Sequence, residues 1–246
     1  MFILRLTGTG SSDRREELIA ELAEAGTAGV LESDLPGGVW QLEAWFDDAE
    51  VAAQFGVPVE PAPDRDWVAE SRAAWHERLV GDRFFLVPAW SDIPTPEGRL
   101  RLEYQPGTAC GTGEHPATRL ALTALEKVIH DGDRVLDVGT GSGILVLAAK
   151  LLGAETVVGC DIDPADVAVA KENTPGAFFI GSARAVQAAW ADVVVANINA
   201  AVLKTLLPDL KRVLRPGGRL VLSGFRPGEL QGGEELQLEG FAALIC

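Results

Sequence analysis

Apolar and polar residues alternate in the opening "MFILRLTG", then recur at helical spacing through "SSDRREELIAELAEAG", which has a Ser or Asp cap and a terminal glycine at Gly26. Alternation returns in "AGVLES" and "VWQLEAWF" on either side of the "DLPGG" turn. A second short helix, "DDAEVAAQFG", and an extended "VPVEPAP" follow. The order strand-helix-strand-strand-helix-strand predicts a small ferredoxin-like α+β domain over residues 1–63.

Residues 64–105 read as a connector. "DWVAESRAAWHERL" has helical spacing, "RFFLVPAW" and "RLRLEYQP" look extended, and "SDIPTPEG" is a turn. Trp67, Trp75, Phe84, Phe85 and Trp90 crowd this stretch, and their expected role is packing in preference to lining a substrate cleft. From residue 106 to 246 the pattern changes. "RVLDVG", "TVVGCDI", "AFFIG", "ADVVVANI" and "RLVLSGF" are short apolar runs, and "SGILVLAAKLLG", "PADVAVAKENT" and "AAVLKTLLPDLKRVL" are helical segments among them. Continuous apolar strands alternating with helices predict a doubly wound, Rossmann-like α/β domain with a parallel sheet buried on both faces.

Composition narrows the classes of function. The formal charge of −15 opposes the basic footprint of a protein that tracks a phosphate backbone, so no direct nucleic-acid binding is expected. A basic partner is easier to accommodate. Cys110, Cys160 and Cys246 are far apart and form no C-x-x-C pair, which argues against a disulfide framework and a zinc site. Without an apolar run near 18 residues or a basic leader, the expectation is a soluble cytoplasmic protein, a monomer with no membrane contact and no metal.

The chemistry-bearing residues cluster at strand ends. In "LDVGTGSGIL", Gly139, Gly141 and Gly143 make G-x-G-x-G, and Ile144 stands where a dinucleotide fingerprint needs its third glycine. Gly139 and Gly141 let the main chain turn tightly beside a ligand. Asp137, just before them, is placed to accept bonds from the turn or from a ligand ammonium. Asp161, at the end of "VVGCD", suits the vicinal hydroxyls of a ribose, while Asp163 reads as the cap of the next helix with Pro164 behind it. Asn197 in "VVVANINAA" carries both an acceptor oxygen and an NH₂ donor, fit either to hold an incoming amine or to tie down the turn. In "PGTACGTGEHPATRLALTAL", Gly107, Gly111 and Gly113 mark a loop and Thr118 offers a hydroxyl. His115 reads as a helix cap or loop anchor in preference to a general base.

Taken together, "GTGEHPATRLAL", "VLDVGTGSGILVLAA", "GCDIDP", "VVVANI" and "LRPGGRLVLSG" resemble the bacterial methyltransferases that modify large-subunit ribosomal protein L-eleven, within the class I S-adenosylmethionine (AdoMet)-dependent superfamily. The resemblance implies a substrate-recognition domain at 1–63 and a methyltransferase domain at 106–246. It also implies AdoMet as cofactor and a basic ribosomal protein as substrate, methylated on lysine side-chain or N-terminal amines. Thr118, Gly139, Gly141, Asp161 and Asn197 become cofactor-binding positions, with Asn197 also catalytic and the Phe179 to Ala183 segment at the adenine. Against the family pattern, only "TPGA" separates "AKEN" from "FFIG", Cys110 replaces an aromatic residue, and "FAALIC" leaves little room for a final strand pair. An AdoMet enzyme for another protein or a small amine, and a non-catalytic AdoMet-binding module, remain open. So does a nicotinamide oxidoreductase, which Ile144 weakens.

Overall fold

The computed structural model describes residues 1–9, 12–62, 76–104, 113 and 115–246. The chain divides into two compact units, Met1–Ala74 and Trp75–Cys246.

In the first unit the strands are β1 (Phe2–Thr9), β2 (Gly29–Leu35), β3 (Val39–Phe46) and β4 (Val59–Pro61), with helices α1 (Ser12–Glu24) and α2 (Ala49–Ala53). They form one antiparallel sheet in the order β2-β3-β1-β4, the ferredoxin-like arrangement that the element order predicts. Leu4, Leu22, Trp40, Leu42, Ala44, Phe46 and Ala52 form its core.

The second unit opens with a three-stranded sheet, β5 (Arg78–Val80), β6 (Phe84–Pro88) and β7 (Leu100–Tyr104), within the stretch read as a connector. Every residue of β6 is buried, so Phe84 and Phe85 are packing residues; Trp67 and Trp75 lie outside the described residues. This sheet is fastened to helix α3 (Pro116–Val128) by Glu126. Its carboxylate accepts from the main-chain N–H groups of Asp82, Arg83 and Phe84 at 2.8, 3.0 and 3.3 Å.

Seven strands form the main sheet: β8 (Arg134–Val138), β9 (Thr156–Asp161), β10 (Ala177–Ile180), β11 (Ala191–Asn197), β12 (Leu214–Phe225), β13 (Glu234–Leu238) and β14 (Phe241–Ile245). Their order is β10-β9-β8-β11-β12-β14-β13, parallel from β10 to β12. The central strands β8 and β11 bury both faces, as their continuous apolar runs require, while β10 at the border is partly exposed. In β11, Val193 and Val195 join a core shared with α3 and α4 (Ile144–Leu151), while Val194 and Ala196 face the opposite core with α6 (Ala200–Val213). Helix α5 (Pro164–Asn173) completes the alternation between β9 and β10.

The final strand pair is present, against the expectation that "FAALIC" leaves little room for it. β14 pairs antiparallel with both β12 and β13. The hairpin fits because its turn needs only two residues, Glu239 and Gly240, both at positive φ (49° and 78°), the conformation that matches the twist of a tight hairpin.

Candidate functional site

Parallel order reverses direction at β8, with β9 to one side and β11 to the other. This switch point opens a crevice beyond the C-terminal ends of the strands. A cavity of about 520 Å³ fills it, lined among others by Thr118, Gly139, Gly141, Asp161 and Asn197. The five residues singled out from sequence therefore meet in one place.

The glycine turn is a main-chain construction. Gly139 has φ 76°, and a Cβ there would stand 2.7 Å from Ile198 Cγ2, so the position excludes a side chain on both grounds. The N–H groups of Gly139 and Thr140 donate to the Cys160 carbonyl at 2.8 and 3.0 Å, and the Gly141 N–H donates to Asp161 Oδ2 at 3.1 Å. Asp161 Oδ1 accepts from the Asp163 N–H at 3.2 Å. Asp163 caps α5 through the Ala165 N–H at 2.8 Å with Pro164 behind it, as its sequence context predicts.

Asp137 lies beneath this turn, wholly buried. Its Oδ2 accepts from the Thr140 hydroxyl at 2.7 Å, and its Oδ1 has no hydrogen-bond partner. Burial pushes its carboxyl up to about 7; the Asp161 charge adds to the shift and the Thr140 bond opposes it. Burial also pushes the Cys160 thiol up to about 12, which makes it unreactive.

Across the cavity the construction is by side chains. Asn197 ends β11 and its Nδ2 donates to the hydroxyl of buried Thr118 at 3.1 Å. His115 is the N-cap of α3, its Nδ1 accepting from the Ala117 N–H at 3.2 Å, and its ring meets Phe241 edge-on at 4.5 Å. Asn199 caps α6 by accepting from the Val202 N–H at 3.0 Å. Gly107, Cys110 and Gly111 lie outside the described residues.

Of the Phe179 to Ala183 segment, Gly181 and Ser182 line the cavity; Phe179 packs against the α6-side core and Ala183 is buried in it. Sequence reading missed several lining residues. Ile162 is 80% exposed yet lines the cavity, its signal being only its place after Asp161. Thr140 hides inside the glycine motif. Val202 and Leu206 come from the first turns of α6, four positions apart, so one helix face supplies both. Asp166 and Arg184 complete the rim, the latter paired with Asp209 at 2.9 Å. The Asp166 carboxyl is raised by desolvation and by the charges of Asp161 and Asp163. No cluster of metal-ligating side chains occurs among the described residues.

Such a pocket, apolar along one side with a few convergent polar groups, has the size and make-up of a small-molecule site. Comparisons with known proteins show which family the chain resembles. The family model for ribosomal protein L11 methyltransferase (PrmA) matches residues 39–232. A ribosomal protein L11 methyltransferase of Symbiobacterium thermophilum is 43% identical over 166 residues, covering 65% of this chain and 55% of the relative. That of Paraburkholderia xenovorans is 37% identical over 222 residues, covering 89% and 70%. Among solved structures, the ribosomal protein L11 methylase of Lactobacillus delbrueckii subsp. bulgaricus superposes with a TM-score of 0.63 at 29% identity, covering 70% of this chain and 97% of that one. The chain spans little more than half the length of the first of these curated relatives.

Proposed function

The chain belongs to the ribosomal protein L11 methyltransferase family, and from that premise we propose that it transfers methyl groups from AdoMet to amines of a basic large-subunit ribosomal protein. Lysine side chains and the N-terminal amine are the acceptors in this reading. The observation that carries it is the Asn197–Thr118 hydrogen bond facing Asp161 across one cavity. In this reading the carboxamide orients the amine and the carboxylate takes the ribose, and both line one pocket.

The residues present fit AdoMet. Asp137 Oδ1, buried and unpartnered, marks a carboxyl in want of a donor under the glycine turn, and an ammonium beside it would favour its ionised form. Asp161 suits the ribose hydroxyls, and Ile162, Val202 and Leu206 give the apolar surface that an adenine ring needs. Gly139 and Gly141 bring bare main chain to the ligand.

When bound, AdoMet supplies an activated methyl group: the amine lone pair forms the C–N bond as the C–S bond breaks and its electrons return to sulfur. The protein's task is then to present a neutral amine in line. A lysine with an ordinary pKa near 10.4 is free amine for roughly one part in a few thousand at neutral pH. Leaving water for the cavity favours the neutral form, and the proton passes to solvent. With its NH₂ group committed to Thr118, the Asn197 carboxamide offers its oxygen to the amine N–H and so aims the lone pair.

The −15 charge suits a lysine-rich partner and disfavours direct nucleic-acid binding. Residues 1–63 serve in this reading as the substrate-recognition domain and 64–105 as the connector, in a cytoplasmic monomer. No helix among the described residues is long and apolar enough to cross a membrane. The decisive experiment incubates the chain with methyl-labelled AdoMet and unmethylated ribosomal protein, then reads mass gain on lysines and the N-terminal amine. Transfer of whole methyl units is expected. AdoMet binding without transfer would leave a binding module, and tight binding of a nicotinamide dinucleotide instead would overturn the assignment.

A further inference from the structure

Ser223 lies near the end of β12, fully buried, and takes part in no chemistry described so far. Its hydroxyl donates to the Ala117 carbonyl at 2.7 Å, with the Ala242 carbonyl 3.5 Å away. Ala117 immediately precedes Thr118, in the first turn of α3. In the parallel ladder Ser223 stands opposite Asn197, and its own carbonyl accepts from the Ile198 N–H at 3.0 Å. One residue thus grips Thr118's helical turn with its side chain and Asn197's loop with its main chain. The next residue makes the grip close: Gly224 has φ 95°, and a Cβ there would stand 2.6 Å from the Ile198 carbonyl oxygen.

Packing alone does not call for a hydroxyl here. A buried hydroxyl costs free energy unless it is bonded, and alanine would serve as well for bulk at this crowded point. The bond that Ser223 makes leaves its own sheet and reaches α3, 106 positions earlier in the chain.

We propose that Ser223 is a positioning residue, whose hydroxyl sets the approach of Thr118 Oγ1 to Asn197 Nδ2 and so the aim of the Asn197 carboxamide oxygen. The second half of this statement rests on the methyl-transfer reading; the first does not. Without the bond the first turn of α3 is freer to shift against β11. The carboxamide then samples orientations in which its oxygen no longer faces an incoming amine.

The test uses the full chain with Ser223→Ala, which removes the donor, and Ser223→Cys, which keeps bulk with a weaker one. The first readout is the side-chain NH₂ signal of Asn197 in ¹⁵N–¹H spectra, assigned by its loss in Asn197→Ala. That signal is expected to move in Ser223→Ala and to move less in Ser223→Cys. The second readout is kcat against AdoMet affinity. A three- to tenfold loss, about what one neutral hydrogen bond supplies, should fall on kcat while the Kd for AdoMet stays within about twofold. An unmoved Asn197 signal in both variants, or a kcat loss matched by an equal loss of AdoMet affinity, overturns the proposal. If Ser223→Ala does not fold, Ser223→Cys carries the same two readouts. A wild-type chain that neither binds AdoMet nor transfers methyl would sink the methyl-transfer reading, and the Asn197 signal would still decide whether Ser223 positions the pair.

Discussion

On one side of the cavity, Gly139, Gly141 and Asp161 are held by bonds from main-chain N–H groups whose longest reach is 21 positions, from the Gly139 N–H to the Cys160 carbonyl. On the other, Thr118 and Asn197 meet side chain to side chain across 79 positions, with Ser223 reaching 106 positions back to the same helical turn. The first side depends on what the backbone is allowed to do. The second depends on where α3, β11 and β12 come to rest against one another. A backbone-built surface suits binding, because it is already formed when the ligand arrives. A surface built from side chains of several elements suits orientation, because one carboxamide can be turned by the contacts behind it.

Substitutions should separate the two. The largest effect is expected from Gly139→Ala, which must hold an alanine at φ 76° with its Cβ against Ile198. Strain and overlap together cost about 3 kcal/mol. Calorimetric titration should show AdoMet affinity down by about a hundredfold or more, and retained affinity would remove the backbone account of that side. Next comes Asn197→Ala. Single-turnover rates should fall about a hundredfold while AdoMet affinity falls by far less, since in the proposed reading the lost group orients the acceptor. Equal losses in both would erase the distinction between the two sides.

A pH test probes the carboxyl beneath the turn. Burial raises Asp137 from an ordinary 3.8 to about 7, so the fold favours its neutral form. Stability from this group is greatest at low pH, is lost as pH rises from about 3.8 to about 7, and the penalty is constant above that. Asp137→Asn does not titrate. Thermal melts of both proteins without ligand at pH 5 and pH 8 should show the wild type losing roughly 2 kcal/mol more than the variant between them. Parallel pH curves would mean that Asp137 is ionised in the fold. The smallest effect belongs to Ile162→Ala. At 80% exposure the side chain supports little of the fold, so stability should change by less than about 0.5 kcal/mol. If the adenine lies on Ile162 as proposed, AdoMet affinity should drop about threefold through lost apolar contact, which equilibrium dialysis can resolve. An unchanged affinity would place the adenine elsewhere.

The same contrast explains what the sequence made legible. Gly139, Gly141, Asp161 and the Asp163 cap were readable because the glycine turn and the acidic strand end belong to consecutive strand-helix units about 20 positions apart, and the cap acts only two positions away. The ferredoxin-like order of the first unit was legible for the same reason, since turn residues separate strongly alternating strands. Val202, Leu206 and Ser223 went unmarked because nothing near them in the chain announces which cavity or helix they will face. The final strand pair was missed because a two-residue turn at Glu239 and Gly240 takes so little chain, and Glu239 is a residue seldom found at positive φ.

The seven-stranded sheet ends at β10 on one side and β13 on the other. An outermost strand is an open row of main-chain donors and acceptors on which another chain can build. Here one border is four residues long, and the other, five residues long, carries exposed Glu234 and Glu235. A second copy laid along either border would find few main-chain bonds to make, and along β13 it would also meet the charged Glu234–Lys127 pair and Glu235. The sheet that shapes the cavity therefore offers another chain only short borders to build on, and the β13–β14 hairpin makes one of them a charged one.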